Sequence, residues 1–212
     1  MAKQAQATSG TRPESAASRD RILAAAIDEF TDHGLSGARV ERIATRAGAN
    51  KQLIYHYFGS KQALFDAAIA AMVDRFRVIA SRLPASVADR VTYYADAAAR
   101  DRGFVRLLAW EALEAGEDPV VREEDRRAYF AERVAELADR QASGELPADL
   151  DPAQLFLAFQ ALAAHPYAFP QMARHITGLD VSDPAFVRAR RRFLATLAGR
   201  LLGPEADEVT TG

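Results

Sequence analysis

The chain has no cysteine among its 212 residues, which excludes disulfides and thiolate metal sites and fits a reducing compartment. It also lacks any long hydrophobic run. The most apolar stretch, "AQLFLAFQALAA" at 153–164, is too short to span a bilayer and reads as a buried core helix. No segment alternates apolar and polar residues as a half-buried strand does. Glycine-rich phosphate loops, nucleophile motifs and paired acid and base groups are missing too, which argues against an enzyme. His165 and His175 have no third histidine or carboxylate at ligand spacing, so neither a metal nor a cofactor is expected. The opening residues, "MAKQAQATSGTRPESAASRD", show no secretory signal, and residues 1–17 read as a disordered tail. A cytoplasmic protein is expected.

What is present suffices for a sizeable core. Hydrophobic residues make up 49% of the chain and charged residues 26%, an ordinary balance for a globular protein. The formal net charge of −2 conceals an asymmetry. Residues 1–62 hold nine Lys and Arg against six Asp and Glu, a net of +3, while the remainder carries −5. A mildly basic head on an acidic body suits contact with phosphates.

Helical signals run through almost the whole chain. Ser18 reads as the N-cap of a first helix with Ile22, Leu23, Ala26, Ile27 and Phe30 on one stripe, ended by His33-Gly34. A second helix carries Val40, Ile43, Ala44 and Ala47 and stops at Gly48. A third opens at the capping Asn50 and turns Leu53, Ile54 and Tyr57 or Phe58 inward. The fourth follows Gly59-Ser60 and extends to about Leu83. Beyond it, Pro84 and the pairs Asp118-Pro119, Asp151-Pro152 and Asp183-Pro184 mark helix starts, because proline is best tolerated in the first turn. A further helix covers about Arg102 to Ala115, burying Phe104, Leu107, Leu108 and Trp110. The helix from Pro119 turns Phe130, Val134 and Leu137 inward. Pro166 and Pro170 should kink or interrupt the apolar helix that begins at Pro152. That helix and the last one, to about Leu202, suggest a subunit interface; completing the monomer's own core is the rival reading.

Residues 40–58 have the layout of a helix-turn-helix: a short helix, the tight "RAGAN" turn, and a second short helix with a polar, exposed start. Such a second helix inserts its amino-terminal end into the major groove and aims unpaired N–H groups at phosphate. The stretch "RILAAAIDEFTDHGLSGARVERIATRAGANKQLIYHYFGSKQALFDAAI" resembles the DNA-binding domain of TetR-family transcriptional regulators. The matching elements are the Phe30/His33/Gly34 helix end, the "VERIATRAG" helix, the "LIYHYF" aromatic run and the "SK.ALF" start of the next helix. They cover about a quarter of the chain. The resemblance implies an all-α fold, with an N-terminal three-helix DNA-binding domain at 18–63. A long fourth helix joins it to a helical ligand-binding and dimerisation domain at 64–204, before a tail at 205–212.

On the matching positions, the resemblance implies that Tyr55, Tyr57 and Lys61 meet phosphates. Asn50, Lys51, Gln52, Leu53 and His56 would face the groove, with Lys51 and Gln52 best placed to read guanine and adenine. Arg39 and Arg46 join the DNA-binding set. Arg39 departs from the family, which often has a capping threonine near this position, so the cap must come from elsewhere. Leu53 stands where Thr or Ser is common and can offer only apolar contact. Arg12 and Arg19 could enter a minor groove, but a solvated tail is the plainer reading.

For the second half, the resemblance implies dimerisation through the last two long helices and an enclosed pocket for a small-molecule effector. Phe104, Leu107, Trp110, Tyr129, Phe156, Phe159, His165, Tyr167 and Met172 are its candidate lining, although most inward aromatics are simply packing. Expected partners are a double-stranded DNA operator, a second copy of the chain and an unidentified effector, with no membrane. The reading is a repressor released from a palindromic operator by ligand. The alternative is a helical protein-interaction module without specific DNA binding.

Overall fold

In the computed structural model, which describes residues 12–202, ten α-helices and no strand are found among the described residues. They are α1 (Arg12–Gly37), α2 (Val40–Ala47), α3 (Lys51–Phe58), α4 (Lys61–Ala80), α5 (Val87–Arg100), α6 (Arg102–Ala115), α7 (Glu123–Ala142), α8 (Pro152–Ala168), α9 (Pro170–Thr177) and α10 (Pro184–Leu202). The chain divides into two compact units after Met72, within α4. The expected tail at 205–212 lies outside the described residues, as does 1–11 of the amino-terminal one.

The first unit buries Ile22, Ala26 and Phe30 of α1 with Ile43, Ile54, Leu64 and Phe65. The Phe30 and Phe65 rings meet edge to face at 5.1 Å, a favoured aromatic geometry. α1 starts earlier than the Ser18 cap predicts. Ser18 lies inside the helix, and its hydroxyl accepts a bond from Arg21 Nη2 at 3.1 Å rather than from a backbone amide. The first turns are held instead by tertiary contacts, with Ser15 Oγ 3.1 Å from Tyr57 Oη and Arg19 stacked 5.2 Å over the Phe58 ring. The expected stop at His33-Gly34 is a break: Gly34 takes φ 64°, ψ −177°, a conformation open to glycine and closed to residues with a Cβ.

In the second unit, α5 packs against both α8 and α10. Its Val87, Val91 and Tyr94 share a core with Leu137, Leu155, Phe159 and Leu194. Asp151 caps α8 by accepting the Gln154 amide at 2.9 Å, and Asp183 accepts the Ala185 amide at 2.7 Å at the start of α10. Asp118-Pro119 does not start a helix. The buried Glu111 carboxylate of α6 holds the Val121 amide at 3.1 Å and both terminal nitrogens of Arg126, at 2.7 and 3.1 Å. The pinned segment passes through Arg122 in the left-handed conformation (φ 56°), and α7 begins one residue later with Glu123, Glu124 and Asp125 at its positive end. Phe130 of α7 is 42% exposed, not inward as its spacing suggested. Pro84 likewise precedes α5, whose cap is Ser86, accepting the Asp89 amide at 3.2 Å. Pro166 does not interrupt α8; the helix runs on to Ala168 and breaks at Phe169, before Pro170.

Candidate nucleic-acid interface

α2 closes on Gly48, left-handed at φ 60°, ψ 38°, so that the Ala49 amide can reach back to the Ala44 carbonyl at 2.9 Å. That turn requires glycine. Two residues later the Asn50 side chain accepts the Leu53 amide at 2.8 Å and caps α3. Ile54 and Phe58 are buried, one turn apart, and fix the inner face of α3. Lys51, Gln52, Tyr55 and His56 occupy the opposite face and are exposed, while Leu53 and Tyr57 are half-buried at its edges. No acid stands in the first turn of α3, so no carboxylate of its own offsets the positive end of the helix. This short helix is therefore anchored from one side and offers cationic, amide and aromatic groups on the other.

The missing cap at position 39 is answered from α1. Arg39 is the N-cap of α2 by backbone conformation, yet its side chain makes no capping bond. Glu29 supplies the carboxylate. It is 2% exposed, accepts the Arg39 amide at 2.9 Å and receives Arg42 Nε at 2.7 Å. Arg42 Nη2 also donates to the Gly37 carbonyl at 3.1 Å. Burial pushes the Glu29 carboxyl up, but the Arg42 and Arg39 hydrogen bonds and nearby positive charge outweigh it and hold the group below its ordinary value. Sequence reasoning passed over Glu29. The signal was available: a carboxylate three and four residues from Ala26 and Ala25, on the buried stripe of α1, needs a partner.

The remaining predicted residues lie in the same unit. Arg39 and Arg46 are exposed, and Arg46 sits 3.5 Å from Asp28. Lys51 is ion-paired with Glu41 of α2. Lys61 Nζ donates to the Ser36 carbonyl at 3.3 Å. Tyr55 is 45% exposed, and the Tyr57 hydroxyl is shared with Ser15.

Residues 22–68 match the family model for bacterial regulatory proteins of the tetR family, and residues 87–200 match that for a tetracyclin repressor-like C-terminal domain. The chain belongs to the TetR family. It is a DNA-binding transcriptional regulator with a helical C-terminal domain. The HTH-type transcriptional repressor SCO4008 of Streptomyces coelicolor is 33% identical over 162 residues, spanning 76% of this chain and 84% of that protein. The HTH-type transcriptional regulator RutR of Escherichia coli is 29% identical over 197 residues, 88% of this chain and 91% of its own length. The solved structure of SCO4942, a transcriptional regulator of S. coelicolor, superposes with a TM-score of 0.75 at 28% identity, covering 89% of this chain and 99% of that one.

The helical domain of this TetR-family chain does not gather the nine predicted pocket residues into one place. Phe104, Tyr129 and Phe156 join an aromatic cluster: Phe76 stacks on Phe104 at 5.2 Å and meets the Tyr129 edge at 6.0 Å, and Phe156 lies 6.1 Å from Phe130. Tyr94 and Tyr129 share a 2.9 Å hydroxyl contact, and burial raises both phenol pKa values. Leu107 and Phe159 are core residues, and Trp110 is half-buried. Tyr167 is buried beside Phe186, 6.5 Å ring to ring. His165 and Met172, by contrast, line a separate groove formed by α8, α9 and α10. Among the described residues no helix is long and apolar enough to cross a membrane.

Proposed function

We propose that this regulator is a repressor which binds a palindromic operator as a homodimer in the cytoplasm and leaves it when a small molecule occupies the helical domain. The observation that carries the reading is the two-sided construction of α3, whose Ile54 and Phe58 are buried while Lys51, Gln52, Tyr55 and His56 face outward. In this reading Lys51 and Gln52 donate to base edges, and Asn50, Leu53 and His56 complete the groove surface. Tyr55, Tyr57, Lys61, Arg39 and Arg46 meet phosphates and set the register.

Two further features support the assembly. α8 and α10 contain no Asp or Glu and leave Leu157, Phe193 and Leu201 exposed by 62%, 52% and 40%, as a helix pair awaiting its two-fold mate would. The dimer would span half-sites about 34–36 Å apart. α4 contributes residues to both compact units, so a ligand-dependent shift of this helix would change the fit. A coupling of about 1–3 kcal/mol between effector and operator is enough for graded release.

The experiment is anisotropy binding to a tiled set of the host's intergenic DNA, beginning beside the gene, at two salt concentrations. Wild type, Tyr55→Phe and Lys61→Ala are compared. Tight binding centred on a palindrome and weakened by both substitutions is expected. Weak, sequence-blind binding unchanged by either would overturn the reading.

A further inference from the structure

Arg190 of α10 stands apart from the other half-buried arginines of the helical domain. Arg90, Arg126, Arg133 and Arg140 each pair with a glutamate. Arg190 makes no ion pair among the described residues; its Nε, like those of Arg126 and Arg133, is buried without a hydrogen-bond partner. Its Nη2 donates to the Leu162 carbonyl of α8 at 2.6 Å, and its guanidinium lies 5.6 Å from the Phe193 ring centroid. Burial lowers its pKa, with only the nearby Tyr167 phenol acting the other way. A guanidinium loses much of its hydration on partial burial and regains that energy only from an anion with good geometry.

An open space lies beside it. Arg190 lines an open groove of about 360 Å³ whose other walls include His165, Met172, Ile176, Phe186 and Phe193. That volume is within the range of small-molecule sites. The walls are mostly apolar, no carboxylate lines the groove, and α8, α9 and α10 contain no acidic residue. The nearest carboxylates in sequence are engaged between α9 and α10: Asp180 accepts from the Ser182 amide and hydroxyl, and Asp183 accepts the Ala185 amide at the start of α10.

We propose that this groove binds a small amphipathic anion, a carboxylate or sulfonate on a flat or chain-like apolar body, with Arg190 meeting the charge and Phe186, Met172 and Ile176 covering the body. The Leu162 carbonyl engages Nη2 of the guanidinium, so the cation is held in place before binding. The site is separate from the aromatic cluster around Phe76, and its binding is read without DNA. Failure here and failure of the operator reading are therefore distinguishable.

Isothermal titration of the full-length protein with 2-naphthoate, and with 2-naphthalenemethanol as its neutral counterpart, tests the assignment at pH 7.5. The acid should bind wild type at least about tenfold more tightly than the alcohol, the value of one well-placed charge-assisted pair. Arg190→Gln should bring acid and alcohol to within about twofold of each other. Because that variant also touches the Leu162 contact, Ile176→Glu serves as a second probe. It sets a carboxylate on a side chain that is 77% exposed, and should weaken the acid about tenfold more than the alcohol, which loses only an apolar contact. Equal affinity of acid and alcohol for wild type would overturn the proposal. So would no detectable binding of either. If wild type binds neither probe and Ile176→Glu turns a dimer into a monomer, the groove belongs to the second copy and the small-anion assignment is wrong.

Discussion

Arg190 donates a 2.6 Å hydrogen bond to the carbonyl of Leu162, and Leu162 lies four residues before Pro166. That carbonyl would ordinarily accept the amide of residue 166, which proline lacks. A guanidinium from α10 thus replaces the missing rung in α8, and the helix continues to Ala168. Proline in a helix interior costs about 3 kcal/mol when nothing re-satisfies the freed carbonyl, so the substitution of donors explains why α8 passes through it.

The pair should be energetically coupled. Arg190→Met in the wild-type background should cost about 1–3 kcal/mol, because it leaves the Leu162 carbonyl unpaired. In a Pro166→Ala background the restored amide takes over, and the same substitution should cost at least about 1 kcal/mol less. Urea melts of the four proteins complete the double-mutant cycle. Costs that simply add would show that Arg190 does not serve this carbonyl.

Glu29 should make the DNA-binding unit sensitive to acid. Its folded-state pKa is depressed, so it favours folding above its unfolded value and this contribution is lost as pH falls through the folded one. Glu29→Gln keeps one acceptor for the Arg39 amide and loses the charge-assisted contact with Arg42, a cost of about 1–3 kcal/mol at pH 7. The difference in stability between wild type and variant should shrink as pH is lowered below the carboxylate range, read by thermal melts across pH. A difference independent of pH would mean that the carboxylate charge contributes nothing.

The two sites differ in how far the sequence revealed them. The helix-turn-helix was legible because local chemistry fixes it: Gly48 permits the turn, Asn50 caps α3, and the spacing of Ile54 and Phe58 sets its buried face. Ser18, Pro84 and Pro119 misled for the opposite reason. Each is a sound local start signal: Ser18 and Pro119 are overridden by contacts further along the chain, Ser15 with Tyr57 and Glu111 holding the Val121 amide, and Pro84 by a better cap two residues later at Ser86. The pocket candidates were aromatics on inward stripes, a pattern that core packing produces as readily as a ligand site. Arg190 lies on the last helix, read only as part of a subunit interface or of the monomer's core, and nothing in its local sequence marks the tie to Leu162.

Lys51 is held in an ion pair with Glu41 in the free protein. Both side chains are largely exposed, at 49% and 61%, so the pair is easily broken. A lysine that reads a base must leave this partner first. Glu41→Gln should therefore raise operator affinity about two- to fivefold at low salt, with the gain fading as salt screens the pair in wild type. Lys51→Ala should abolish that gain in the double variant. Anisotropy titrations at two ionic strengths decide it, and an unchanged affinity in Glu41→Gln would remove Lys51 from the groove.

The exposed apolar faces of α8 and α10 give the last expectation. Leu157 and Phe193 are 62% and 52% exposed, and a dimer that buries them gains about 1.5–3 kcal/mol for each such side chain fully covered. A glutamate at either position sets one charge in each copy against an apolar surface, and the two-fold axis applies the penalty twice. Leu157→Glu should give a folded monomer at micromolar concentration by light scattering, with the helical circular dichroism of wild type. Operator affinity should fall more than a hundredfold, because two half-sites can no longer be engaged by one particle. A dimer that survives both Leu157→Glu and Phe193→Glu would move the interface off this face. A stable monomer with undiminished operator binding would show that one recognition unit suffices.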